Sequence, residues 1–190
     1  MSVLILGLII LLGVHSLPTA IGLRGRLRSR LGENGYRALF GVVSIAGLAV
    51  TVWGYALARE TPVVVWSPPL WTYHATALLV LIAFILIVAA YIPGKIREKV
   101  RHPMLAGVKL WAFAHLISNG TLADIVLFGA VLAWAVADRI SVKRREAAGL
   151  LTVTGGPLRN DAIAIVVGFV AYAVFALWLH EWLIGVSPFA

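Results

Sequence analysis

The chain has no cysteine among its 190 residues. That excludes a disulfide framework, a covalently attached c-type haem, a thiolate metal ligand and a cysteine nucleophile. It is also poor in charge: only 13% of residues are charged, with eight acidic groups against sixteen lysines and arginines. Soluble domains ordinarily devote about a quarter of their residues to charge. No Ser–His–Asp grouping, phosphate-binding loop or dinucleotide fingerprint is present, and there is no internal repeat. What fills the chain instead is apolar, 61% hydrophobic residues at a mean hydropathy of +0.96.

Several apolar runs approach the ~20 residues that cross a hydrocarbon core as a helix. The alternating segments of a membrane β-barrel are missing. The sequence therefore predicts an all-α polytopic bundle of about six spans, a single domain over residues 1–190. The spans fall at about Ser2–Ile21, Tyr36–Ala58, Leu70–Ile92, Pro103–Ile117, Leu122–Ala137 and Asp161–Ile184. The first has no basic residue ahead of it, so it reads as an uncleaved anchor. The fourth and fifth are short and imply a tilted hairpin or a locally thinned bilayer. Gly41, Ser44, Gly47, Thr51 and Gly54 share one helical face, a surface on which another helix can approach closely.

A net charge of +8 would suggest nucleic acid were the cations not so placed. Arg24 to Arg37, Lys95 to Arg101 and Arg139 to Arg159 are three short connections holding five, four and five of them, fourteen of the sixteen. That is a topology signal, so a nucleic-acid partner is not expected and the bilayer is. Basic loops stay inside, which puts both termini outside, periplasmic for a bacterial inner (plasma) membrane.

The stretch with most chemistry is His102–Gly120, HPMLAGVKLWAFAHLISNG. Ionisable groups at bilayer depth are costly and face protected interiors. In a helix Trp111, His115 and Asn119 stand on one face, while His102 and Lys109, seven apart, mark a second. Two polar faces cannot both meet lipid, so this segment belongs inside the bundle, where Lys109 would neutralise a carboxylate or lose its proton. His15 is the other histidine within an apolar run. His74 and His180 lie near span ends and read as interfacial, and Asp124 opens the fifth span, where a carboxylate caps a helix. Two buried histidines, no cysteine and many aromatics suit a b-type haem held by imidazoles. Bare zinc or copper would need a third clustered ligand that the spacing does not offer.

Beyond these patterns, GVHSLPT, RLGENGYRALFGVVSIAGL, VVWSPPLW, the run from AAYIPGKIREKVRHP through HLISNGTLAD to WAVADRIS, and LHEWLIG resemble the NnrU family over nearly the whole chain. The resemblance implies a role in nitrogen-oxide metabolism, that is, denitrification, whether redox, sensing or accessory, with a possible redox partner. NnrU proteins are in turn similar to plant-type 15-cis-zeta-carotene isomerase, a membrane enzyme whose haem b iron is held by two histidines. By that likeness His15 and His115 are the iron ligands, with Trp111 beside them; His102 is the substitute ligand, and the polar faces of the segment place Lys109 and Asn119 around the cofactor. Ala112 stands where the isomerase has cysteine, which puts its ligand switching in doubt here. An isomerase-like activity on a polyene or other lipophilic substrate is the alternative function, and a non-catalytic accessory protein without cofactor is a third. Arg101 to Gly107 also looks like part of a membrane methyltransferase motif, yet the paired glutamates of those enzymes are reduced to Glu181. Helical rise complicates the ligand pair: His115 lies ~20 Å from the edge at His102, and His15 only ~10 Å from the edge near Gly22. Their depths agree only if a helix tilts.

The loop asymmetry generates a direct prediction. A periplasm-active reporter fused to the C-terminus should be active, and a thiol placed at Asn119 should react with a membrane-impermeant label. Activity of a cytoplasm-only reporter at the same terminus would reverse the orientation.

Overall fold

The computed structural model describes residues 1–189, and every regular element in them is a helix. The helices are α1 (Ser2–Ser16), α2 (Ile21–Glu60), α3 (Leu70–Tyr91), α4 (Lys95–Val100), α5 (Pro103–Ser118), α6 (Leu122–Ala147), α7 (Leu158–Val174) and α8 (His180–Ile184). A 3-10 turn, Leu17–Thr19, follows α1, and a π turn, Phe175–Leu179, joins α7 to α8. Five apolar stretches are long enough to cross a membrane: Ser2–Thr19, Ile21–Glu60, Leu70–Tyr91, Leu122–Ala147 and Leu158–Ile184. Helix α5, with 16 residues, is shorter, about 24 Å at 1.5 Å per residue. It still runs between the two ends of the bundle. Its N-terminus follows α4 at the end bearing the basic connections, and just past its C-terminus Gly120 accepts from the backbone N–H of Val65 at 2.8 Å, in the α2–α3 connection. The chain is thus an integral membrane helical bundle.

The helices pack as two groups. Helix α1 lies along α2, α3 lies against both α5 and α7, and α5 and α6 join the groups as a hairpin. Of the small-residue face expected on the second span, Gly47, Thr51 and Gly54 form the α1–α2 seam, while Gly41 lies off it. A Cβ on Gly54 would stand 2.2 Å from the backbone N of Leu4, and one on Gly47 2.8 Å from that of Leu11. Without a hydrophobic force between helices in lipid, this backbone-to-backbone approach is what gives the pair its dispersion contact.

Three basic connections differ from the sequence reading, one of them Lys95–Val100, which is helical as α4. Residues 21–31, taken as a basic loop, are helical, and a break at Gly32 (φ +70°) separates them from 33–60. Leu23, Leu27 and Leu31 recur every four residues beside Arg24, Arg26, Arg28 and Arg30, the pattern of an interfacial amphipathic helix. Helix α6 continues ten residues past Ala137 through its basic cluster, because lysine and arginine are good helix formers and favour a helix C-terminus.

Polar side chains fix the joints. Thr121 and Asp124 form a reciprocal capping box that starts α6, and Tyr55 on α2 donates to Asp124 at 2.5 Å. Capping is therefore the role of Asp124. At the other end Asp161 on α7 accepts from the backbone N–H groups of Lys95 and Ile96, both at 2.9 Å, tying α4 to α7.

Gly54→Val should lower thermal stability in detergent by about 1–3 kcal/mol, the usual cost of overpacking. Gly41→Val should change little, since nothing lies within 4 Å of a Cβ there. Equal melting of the two variants would show that the seam is not a tight contact.

Candidate functional site

Between α3, α5 and the stretch from α7 to Phe189 lies a cavity of about 450 Å³ that runs along the middle of the bundle. That lies within the range of small-molecule sites, roughly 300–1,000 Å³. Its walls are mainly aliphatic and aromatic, and none of the described residues lining it is charged. It extends along α3 from Tyr73 to Ile87, about 21 Å of helix.

Helix α5 supplies Trp111, His115, Ser118 and Asn119, the face that helical spacing predicts. The half-buried His115 ring stacks on Phe128 of α6, centroids 4.7 Å apart, and tilts against Trp111 at 4.9 Å. Its Nδ1 lies 2.9 Å from the Trp111 carbonyl. A carbonyl only accepts, so Nδ1 carries the proton and Nε2 presents a lone pair. Asn119 donates back to the His115 carbonyl at 2.8 Å, satisfying the last turn of α5. Thr76 of α3 donates to the Ala114 carbonyl at 2.8 Å, so the helix carrying His115 is fastened to the cavity's opposite wall.

The second imidazole on this cavity is His180, which the sequence places at an interface. In an unbroken α-helix His180 would stand about 80° around from Tyr172. The π turn Phe175–Leu179 advances less per residue, and Tyr172, Ala176 and His180 all line the cavity. Its Nδ1 lies 2.7 Å from the Val186 carbonyl, which again leaves Nε2 as the free base. No periodicity argument foresees this, because the π turn has no composition signal. The motif LHEWLIG holds the residue but not its direction.

The remaining residues singled out from sequence lie elsewhere. His15 sits off the cavity, its ring 5.2 Å from Phe40 and 5.8 Å from Trp134, with Nδ1 2.8 Å from the Leu11 carbonyl. His102 is at the basic end, 2.9 Å from Glu146. Lys109 is half-buried and joins none of the ion pairs among the described residues. His74 is exposed at the start of α3. The structure thus brings Trp111, His115 and Asn119 together and leaves His15, His102 and Lys109 apart from them.

Among the described residues no three histidine or carboxylate side chains group closely enough to hold a metal ion. Two imidazole Nε2 atoms on one uncharged apolar cavity are too few for a bare zinc site. They equal the two axial positions left on a metal already held by a macrocycle. The residues present fit such a group.

No curated protein and no solved structure is significantly similar to the chain. The family described as NnrU protein matches residues 3–188. Nearly every element described above lies inside that match, and the chain belongs to the NnrU family.

Proposed function

We propose that this NnrU family protein binds haem b in the cavity between α3, α5 and α7, where His115 and His180 would hold its iron. The observation that carries the reading is that two imidazoles line one uncharged cavity. Each Nδ1–H is held by a backbone carbonyl, the outer-shell arrangement that orients metal-binding histidines and raises their basicity. A bound haem would supply one-electron redox chemistry. The chain's own part is to hold two neutral imidazoles, to stack aromatic rings around the site and to keep charge and bulk water from it. The family's name connects that chemistry with nitrogen-oxide metabolism, so the role is redox, sensing or accessory within a bacterial inner membrane. The basic connections are then cytoplasmic and both termini periplasmic.

A second reading has a specific basis. The cavity's length along α3, about 21 Å, also accommodates an extended polyene. Together with the likeness to 15-cis-zeta-carotene isomerase, it supports a haem-dependent cis–trans isomerase of a lipophilic substrate. Incubating haem-loaded protein with cis-carotenoids and separating the isomers tests that directly.

Protein purified from haem-replete cells should show a Soret band with low-spin features. His115→Ala and His180→Ala should each abolish the low-spin spectrum, and His15→Ala should leave it intact. Loss in the His15 variant with retention in the His180 variant would move the second ligand to His15, as the isomerase likeness implies. A wild-type protein with no haem at all would favour an accessory protein without cofactor.

A further inference from the structure

The basic end of the bundle carries a second group of buried polar atoms, unrelated to the cavity. Glu146 of α6 accepts from Arg101 Nε at 3.1 Å and lies 2.9 Å from His102 and 3.9 Å from Arg139. Asp138 is 3.7 Å from Arg145, close enough for ionic attraction but too far for a hydrogen bond. Arg145 also reaches the Pro18 carbonyl, at 3.5 Å. Arg24 stands one turn after Ala20, whose carbonyl takes its backbone N–H at 2.9 Å, and so belongs to the same corner. Three arginines (101, 139 and 145) thus meet two carboxylates, with Arg24 on the adjoining first turn of α2.

The charges are not matched by hydrogen bonds. Arg24 Nε, Arg139 Nη1 and Arg145 Nε are each shielded from solvent without a partner, as is Asp138 Oδ1. Arginine keeps its charge at any working pH, and a buried donor left unpaired is costly. Arg101, beside the cluster, holds a left-handed φ of +66°, strain of the kind that persists where surroundings impose it. Three unpaired guanidinium nitrogens and an excess of positive charge call for an anion with several acceptor oxygens. The place decides its source. Residues 21–31, with leucine every fourth residue, form the interfacial helix on one side, so the donors stand at headgroup depth. Asp138 Oδ1 adds an acceptor for a headgroup hydroxyl.

We propose that Arg24, Arg139 and Arg145 bind the phosphodiester of an anionic phospholipid whose headgroup carries hydroxyls, as phosphatidylglycerol does. Basic pockets between membrane helices are a known solution for headgroup recognition. The lipid would cross-link α6 to the 3-10 turn and the interfacial helix, which otherwise meet mainly through Arg145.

Detergent-purified full-length protein tests this by thermal unfolding and native mass spectrometry with added phosphatidylglycerol, phosphatidylcholine or inorganic phosphate. Phosphatidylglycerol should raise the melting temperature and persist as a one-to-one adduct, and phosphatidylcholine should do neither. Arg24→Gln and Arg139→Gln should each weaken the adduct by about tenfold, the loss of one charge-assisted hydrogen bond. Should a glutamine variant fail to fold, Arg24→Lys keeps the charge but removes Nε, and it should lie between wild type and no binding. Equal effects of the two lipids, full binding by the folded variants, or complete replacement of the lipid effect by inorganic phosphate would each overturn the proposal.

Discussion

A polar side chain at bilayer depth has no water to turn to, and in this bundle the backbone carbonyl takes water's place. His15, Ser16, Thr51, His115 and Ser118 each bond to the carbonyl four residues earlier in their own helices, and Thr76 bonds to a carbonyl of the neighbouring helix. The backbone of a membrane helix already satisfies itself, so only the second lone pair of each carbonyl is left for such bonds. For a hydroxyl this is local housekeeping. For an imidazole it settles the tautomer, because the nitrogen facing a carbonyl must be the protonated one. The same physical requirement that lets a histidine enter the membrane therefore readies its other nitrogen as a base.

Much of this architecture was legible in the sequence, and the reason is physical. Helix α3 matches its expected span to within one residue, because unbroken apolar length is a strong constraint and Pro69 and Pro93-Gly94 flank it. The close α1–α2 seam was readable from the spacing of Gly47, Thr51 and Gly54, since small residues in lipid have few other uses. Family membership was likewise carried by local motifs. What escaped was direction rather than existence. Arginines spaced among leucines in residues 21–31 read as a loop when counted for charge and as an interfacial helix when counted for period. His180 was visible, but its facing depends on a π turn whose residues, FALWL, are ordinary helix residues.

The bundle separates two chemistries along its length. Its middle holds an uncharged cavity lined largely by aliphatic and aromatic side chains, and its basic end holds a cluster of arginines with too few partners. Helix α5 links them, with His102 at one end and His115 one turn from the other. At low effective dielectric a charge placed beside the cavity would act strongly on anything bound there. Confining the cations to the far end keeps the cavity neutral. Lys109, between the two regions, has a four-carbon stem long enough to carry its ammonium away from the apolar wall.

The arrangement of α6 bears directly on which histidines can share one planar group. His115 rests on Phe128 and His15 on Trp134. Those two positions are six residues apart, about 9 Å along the helix and about 120° around it. A single group held by both His15 and His115 would have to span this face of the α5–α6 hairpin, outside the cavity, which His15 does not line. That hairpin is pinned at its turn by the Thr121–Asp124 capping box and by Tyr55 from α2, and at its base by Arg101 and His102 on Glu146. Moving it would break both sets of contacts. The proposed pairing of His115 with His180 instead draws both imidazoles from the wall of one cavity, where the π turn places the second.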